Sequence, residues 1–300
     1  MINSKKMRLT MFAASIVAAG ALTGCFNDES ADPVSSTPTE FSTTAAYGAL
    51  VGADCVVNGT VTAALDQYVT NADGVGSISA TIGAGEYPLI ISCTGGNYYN
   101  EASEATEAND ETLKSIIPSA GALTDAGGSV AVTTLTSMAA ALYESLPAAQ
   151  RNASTANQSL TNVIKALAPG LGNGDGLDLL RAPTVVKSSA STVANNDAGY
   201  YASILAGLAK AGAGLTPALS PSKLAAKLAA ETVTGTLDNN VVSVLKAKTA
   251  EFAGAKGDSA LQQKSNDAPA PTTTVTKPTT GGTTGGTGGT GGTGGSGGQP

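Results

Sequence analysis

The sequence predicts an α+β protein, a small antiparallel β-sandwich followed by a helical domain, with disordered stretches at both ends. Three observations predict it. From Ala45 to about Tyr99, Val, Ile, Thr and Tyr alternate with small or polar residues, and Asn-Ala-Asp-Gly, Gly-Ala-Gly-Glu and Thr-Gly-Gly-Asn punctuate the runs as turns. From about Thr136 apolar residues recur every three or four positions, the period of helices packed on one face. Beyond Gly257 the apolar residues thin out, and the last 20 residues hold 12 glycines, a composition unable to build a core.

Taken in order, residues 1–24 read as an export signal. Lys5, Lys6 and Arg8 precede an apolar or small run from Leu9 to Ala21, and these 13 residues fall short of the roughly 20 that a membrane-crossing helix needs. The run ends in Leu22-Thr23-Gly24-Cys25, which resembles the lipobox of bacterial lipoproteins, where cleavage falls before the cysteine and its thiol is alkylated with a diacylglyceryl group. The resemblance implies that Cys25 is the lipidated start of the mature chain, bearing palmitate-like acyl chains, and that the membrane is a partner in a bacterial cell envelope. Phe26, in place of Asp, implies the outer membrane. Residues 25–44 are polar and Pro-containing without periodicity, which predicts a flexible tether. With Cys25 acylated, Cys55 and Cys93 remain, either as a disulfide in an oxidising compartment or as two buried thiols.

Residues 45–105 form the predicted β-sandwich. Gly52-Ala53, Thr70 with Asp73-Gly74, Gly85-Glu86-Tyr87-Pro88-Leu89-Ile90-Ile91, then Gly96 and Tyr98, stand in the order found in the carboxypeptidase regulatory-like, or transthyretin-like, β-sandwich, and the segment resembles that family. The resemblance implies a structural or binding role and carries over no catalytic residue. Pro88 removes a backbone donor and predicts an edge strand or a bulge. Asn71 and Asp73 read as a hairpin turn. Residues 106–127 are predicted as an acidic connecting loop.

Residues 128–256 form the mainly helical domain. Its first helix follows a strand near Thr136 and stops at Pro147; Ser154, Asp197, Ser220 and Asn240 are the expected caps or starts of four more. Tyr200, Tyr201, Ile204, Leu205 and Leu208 make one apolar face. Val241, Val244, Leu245 and Phe252 make another, which Lys248 and Thr249 interrupt. Residues 257–300 are the predicted disordered Gly/Thr-rich tail. The order of sandwich and Ala-rich helices also resembles a loosely defined class of bacterial surface lipoproteins.

Composition restricts the chemistry. Without the signal the chain has 13 basic and 23 acidic residues, a net charge of -10, which repels a phosphate backbone, so no nucleic-acid partner is expected. The chain has no histidine, which removes His-dependent nucleophilic catalysis and His-bearing zinc sites. Ser220-Pro-Ser-Lys223 and Ser243-Val-Leu-Lys246 match a Ser-x-x-Lys nucleophile pattern, but its companion elements are missing and Ser220 suits a helix cap. Glu101, Glu104, Glu107, Asp110 and Glu111 offer oxygens for calcium or form a solvated loop. Asn173, Asp175 and Asp178 fail calcium-loop spacing because Leu177 stands where an oxygen is needed. The expectation is a lipid-anchored protein with a non-catalytic binding or structural role toward a protein or glycan, with no cofactor. The alternatives are an enzyme using Ser-Lys or paired carboxylates, and part of a larger surface protein.

Overall fold

In the computed structural model, which describes residues 38–279, the chain enters its first strand at Thr39. Strand β1 (Thr39–Ala46) is followed by β2 (Asp54–Asn58), β3 (Asp66–Val69), β4 (Val75–Ala80), β5 (Leu89–Thr94), β6 (Asn97–Asn100), β7 (Ala105–Ala108) and β8 (Leu113–Ile117). Then come α1 (Ala120–Asp125), β9 (Ser129–Thr133), α2 (Thr134–Glu144), α3 (Ala153–Leu167), α4 (Asp197–Ala213), α5 (Pro221–Thr234), α6 (Asn239–Lys256) and α7 (Ser259–Asp267). The protein is α+β, with antiparallel sheets first and helices after. Among the described residues no helix is long and apolar enough to cross a membrane.

One sheet has the order β3-β2-β5-β8 and is antiparallel throughout. Its register aligns Cys55, Cys93 and Leu113 in one row and Val57, Ile91 and Ser115 in the next, all buried on the same face, as a two-residue period demands. The second sheet has the order β4-β1-β9, in which β4 runs antiparallel to β1 and β9 runs parallel to it. Phe41, Ile78, Val130 and Val132 fill its buried positions. Tyr68 of β3 reaches across, and its hydroxyl accepts a hydrogen bond from Thr43 of β1 at 2.7 Å. Gly76 makes room for that ring, since a Cβ there would lie 2.0 Å from it.

The helices close the same core. Thr133 ends β9 and caps α2 in a reciprocal pair with Thr136, so strand passes into helix without a loop. The first turn of α2 then covers the edge of β8: the Lys114 N–H donates to Ser137 Oγ at 2.7 Å, and Thr136 Oγ1 donates to the Lys114 carbonyl at 2.7 Å. Hydroxyls thus replace a neighbouring strand. Helix α4 is buried on almost every side and packs along α6, where a Cβ on Gly207 would lie 2.5 Å from Thr249 Oγ1 and 2.9 Å from its backbone nitrogen. Thr249 therefore belongs to the buried stripe of α6 with Val241, Leu245 and Phe252, while Val244 faces outward. Lys264 fastens α7 to the start of α4, 2.5 Å from Asp197 and above the Tyr200 ring.

Several expected boundaries move. The signal at 1–24 and Cys25 lie outside the described residues, but the tether expected through residue 44 gives way to β1 at Thr39, because Thr, Phe and Ala alternate there against Ile78 and Val130. The acidic loop expected over 106–127 contains most of β7, all of β8 and α1. The division between a sandwich over 45–105 and helices over 128–256 is crossed by the β1–β9 pairing and by one continuous buried core. The tail expected from 257 begins with α7, and a strap over 269–279 continues along the body.

Local expectations shift too. Asn71–Gly74 turns a corner between sheets, since β3 pairs with β2 and β4 with β1. Pro88 immediately precedes the central strand β5 and forms neither edge nor bulge. Ser220 caps α5 as expected, whereas Asn152, Asn196 and Asp238 cap α3, α4 and α6 in place of the neighbours expected there.

Candidate functional site

Three places gather the side chains able to carry chemistry. The first is inside the sandwich, where Cys55 and Cys93 oppose each other on β2 and β5 with Cα atoms 4.0 Å apart and are joined by a disulfide. Both are buried, and the Tyr68 hydroxyl lies 3.9 Å from the Cys93 sulfur. Burial raises the Tyr68 pKa, so the phenol stays neutral beside the bridge.

The second is the junction of the β6–β7 hairpin with the start of α5, which brings together the acidic run, Tyr98 and the first Ser-x-x-Lys match. Tyr98 is buried, packs at a tilt against Tyr47 with ring centroids 4.7 Å apart, and donates to Glu107 at 3.2 Å. Glu107 also accepts from Asn100 at 2.7 Å and Ser103 at 2.8 Å, which commits its carboxylate to holding the hairpin turn. Ser220 Oγ accepts the Lys223 backbone N–H at 3.4 Å and hydrogen-bonds Ser222 Oγ at 3.1 Å. The Lys223 ammonium is exposed and lies 3.8 Å from Asp110. Ser220 thus serves as a cap, and its lysine as a surface ion pair.

Glu101 stands apart from the other acids of the run. It sits in the hairpin turn yet is buried, and its Oε2 has no hydrogen-bond partner. Burial pushes its carboxyl up to about 8, opposed by its own backbone N–H. The hydroxyl of Tyr99 is likewise buried and unpartnered. Among the described residues no three His, Cys, Asp or Glu side chains gather as metal ligands. Asp178 closes its own loop by accepting the Asn173 N–H at 2.8 Å, and Asp175 caps a short 3-10 turn through the Leu177 N–H at 3.2 Å.

The third place is a groove of about 600 Å³ where the end of α4 meets the start of α6. Leu215, Leu219 and Val244 give it apolar walls, with Lys210, Lys227 and Lys248 around them. Each lysine is paired: Lys210 and Lys248 reach Glu251 at 2.8 and 2.9 Å, and Lys227 reaches Glu231 and Asp238. The two ammonium groups beside Glu251 hold its carboxyl down at about 2. Ser243 lines this groove while Lys246 of the second Ser-x-x-Lys match lines a separate cleft by Tyr200, so the two do not share a site. The sequence reading missed this groove because its lysines come from three helices, and their convergence depends on tertiary packing. Its mixed walls suit noncovalent contact with a polar ligand. Comparison of the chain with protein-family models, curated proteins and solved structures finds no match to any of them.

Proposed function

We propose that the protein is a lipid-anchored component of a bacterial envelope whose ordered body binds or scaffolds a protein or glycan and does not catalyse a reaction. One observation carries the non-catalytic part: Ser220 is committed as a helix cap, Glu107 as a triple acceptor and Glu251 between two lysines, and the carboxyl of Glu101, with Oε2 unpartnered, is buried in a hairpin turn. The resemblance of residues 52–98 to a structural or binding sandwich supports the same reading. The anchor rests on Leu22-Thr23-Gly24-Cys25 behind a charged and apolar leader. Residues 26–38 separate that cysteine from β1, a chain able to span at most about 45 Å when fully extended, which keeps the body near the bilayer surface. Two or more acyl chains suffice for stable attachment.

The test is fractionation of cells making the protein with Cys25→Ser. The variant is expected in the soluble fraction and the parent in the membrane pellet. A processed variant that remains in the pellet contradicts the anchor.

A further inference from the structure

The strap over 269–279 is held along both of its edges. On one edge the Leu237 N–H donates to the Thr273 carbonyl at 2.7 Å, and the Val275 N–H donates to the Gly235 carbonyl at 3.1 Å. On the other, the Thr272 N–H donates to the Ala166 carbonyl at 2.8 Å, and Asn162 Nδ2 donates to the Thr276 carbonyl at 2.7 Å. The bonds alternate between edges as an extended strand requires. Val275 is buried to 2% exposure, Thr272, Thr274 and Thr276 face solvent, and no charge falls within 272–276.

Pro278 is buried as well. This is how a groove reads an extended peptide: backbone bonds supply affinity and buried side chains supply selection. The strap also meets a need of its host, because Ala166 lies in the last turn of α3, whose carbonyls have no partner within the helix. Its covalent link to the body is Pro269-Ala270-Pro271, a stiff and largely exposed connector whose prolines donate no backbone hydrogen bond. From these observations we infer that the channel between α3 and the α5–α6 turn is a recognition groove for an extended, uncharged, valine-bearing segment, filled in cis by residues 272–276 and open in trans to the same segment of a second copy. Exchange preserves every contact the groove makes, since an identical segment replaces the original. The inference is independent of the lipid anchor.

The test uses the full-length chain carrying Cys25→Ser, so that no lipid promotes self-association, with and without Val275→Asp, which unseats the strap and leaves the groove intact. The probe is a labelled synthetic peptide of residues 269–279. Saturable binding at least tenfold tighter to the Val275→Asp chain than to its parent is expected, with no binding by a peptide carrying the same substitution. The parent should show a dimer fraction that grows with concentration and falls when the peptide is added in excess. A folded Val275→Asp chain that takes up no more peptide than the parent overturns the groove, and a parent monomeric at every concentration overturns the exchange. Should Val275→Asp fail to fold, hydrogen exchange of the parent decides the matter. Amides of Leu237 and Val275 exchanging well ahead of those in α4 support release of the strap, and exchange at the α4 rate overturns it.

Discussion

A carboxyl group sealed inside a hairpin turn makes the fold sensitive to pH at one atom. The Glu101 proton is held up to about pH 8 in the folded chain, whereas an unfolded chain releases it near 4.5. Below 4.5 both states hold the proton and the residue is neutral to stability. Between the two values only the folded state holds it, so stability falls as pH rises, and above about 8 the whole cost is present. At pH 7 that cost is up to about 3 kcal/mol, accumulating at roughly 1.36 kcal/mol for each pH step above 4.5. Glu101→Gln should raise the urea midpoint at pH 7 and flatten its dependence between pH 5 and 8; an unchanged slope would contradict the burial. The carboxylates of this run were legible in the sequence as a set, but their fates were not. Charge pattern alone does not distinguish Glu107, whose oxygens accept from three side chains, from Glu101, whose Oε2 accepts from none.

Among elements, the α4–α6 contact depends most on a single small residue. Gly207→Ala would place a methyl 2.5 Å from Thr249 Oγ1 and 3.1 Å from its Cα, so the two helices must separate. A loss of about 1–3 kcal/mol is expected by thermal or urea unfolding. Adding Thr249→Ala should restore little of it, because the backbone of α6 is also in the way; full rescue would mean that the side chain alone sets the distance. This contact explains why Thr249 appeared to break the stripe of α6, while Lys248 points to the surface and pairs with Glu251. The pattern of large apolar residues cannot register a threonine chosen to meet a glycine. Helices with large apolar residues on one face, such as α3 and α4, were readable to within a few residues, and their caps slipped because Asn152 and Asn196 compete with equally good neighbours. Strand β1 escaped notice for the opposite reason: Thr-Glu-Phe-Ser-Thr-Thr-Ala-Ala is too polar to look buried until β4 and β9 flank it.

For the molecule as a whole, the disulfide ties the larger sheet across residues 38 apart in sequence. In the chain-entropy account such a loop stabilises by about 3 to 4 kcal/mol. Cys55 and Cys93 should resist alkylation in the folded protein, and reduction should lower the unfolding midpoint accordingly; rapid labelling without reductant would remove the bridge. The α+β class and the change from strands to helices were legible because each rests on local periodicity. The single core was not, since its unity comes from β1 pairing with β9, residues that meet as Ser42 with Ser129 and Thr43 with Val130. That pairing sets an order of events for a chain emerging amino end first. One edge of Thr39–Ala46 finds β4 some thirty to forty positions on, but the other edge has no partner until β9, nearly ninety positions later, so this sheet stays incomplete until roughly the first half of the polypeptide has appeared.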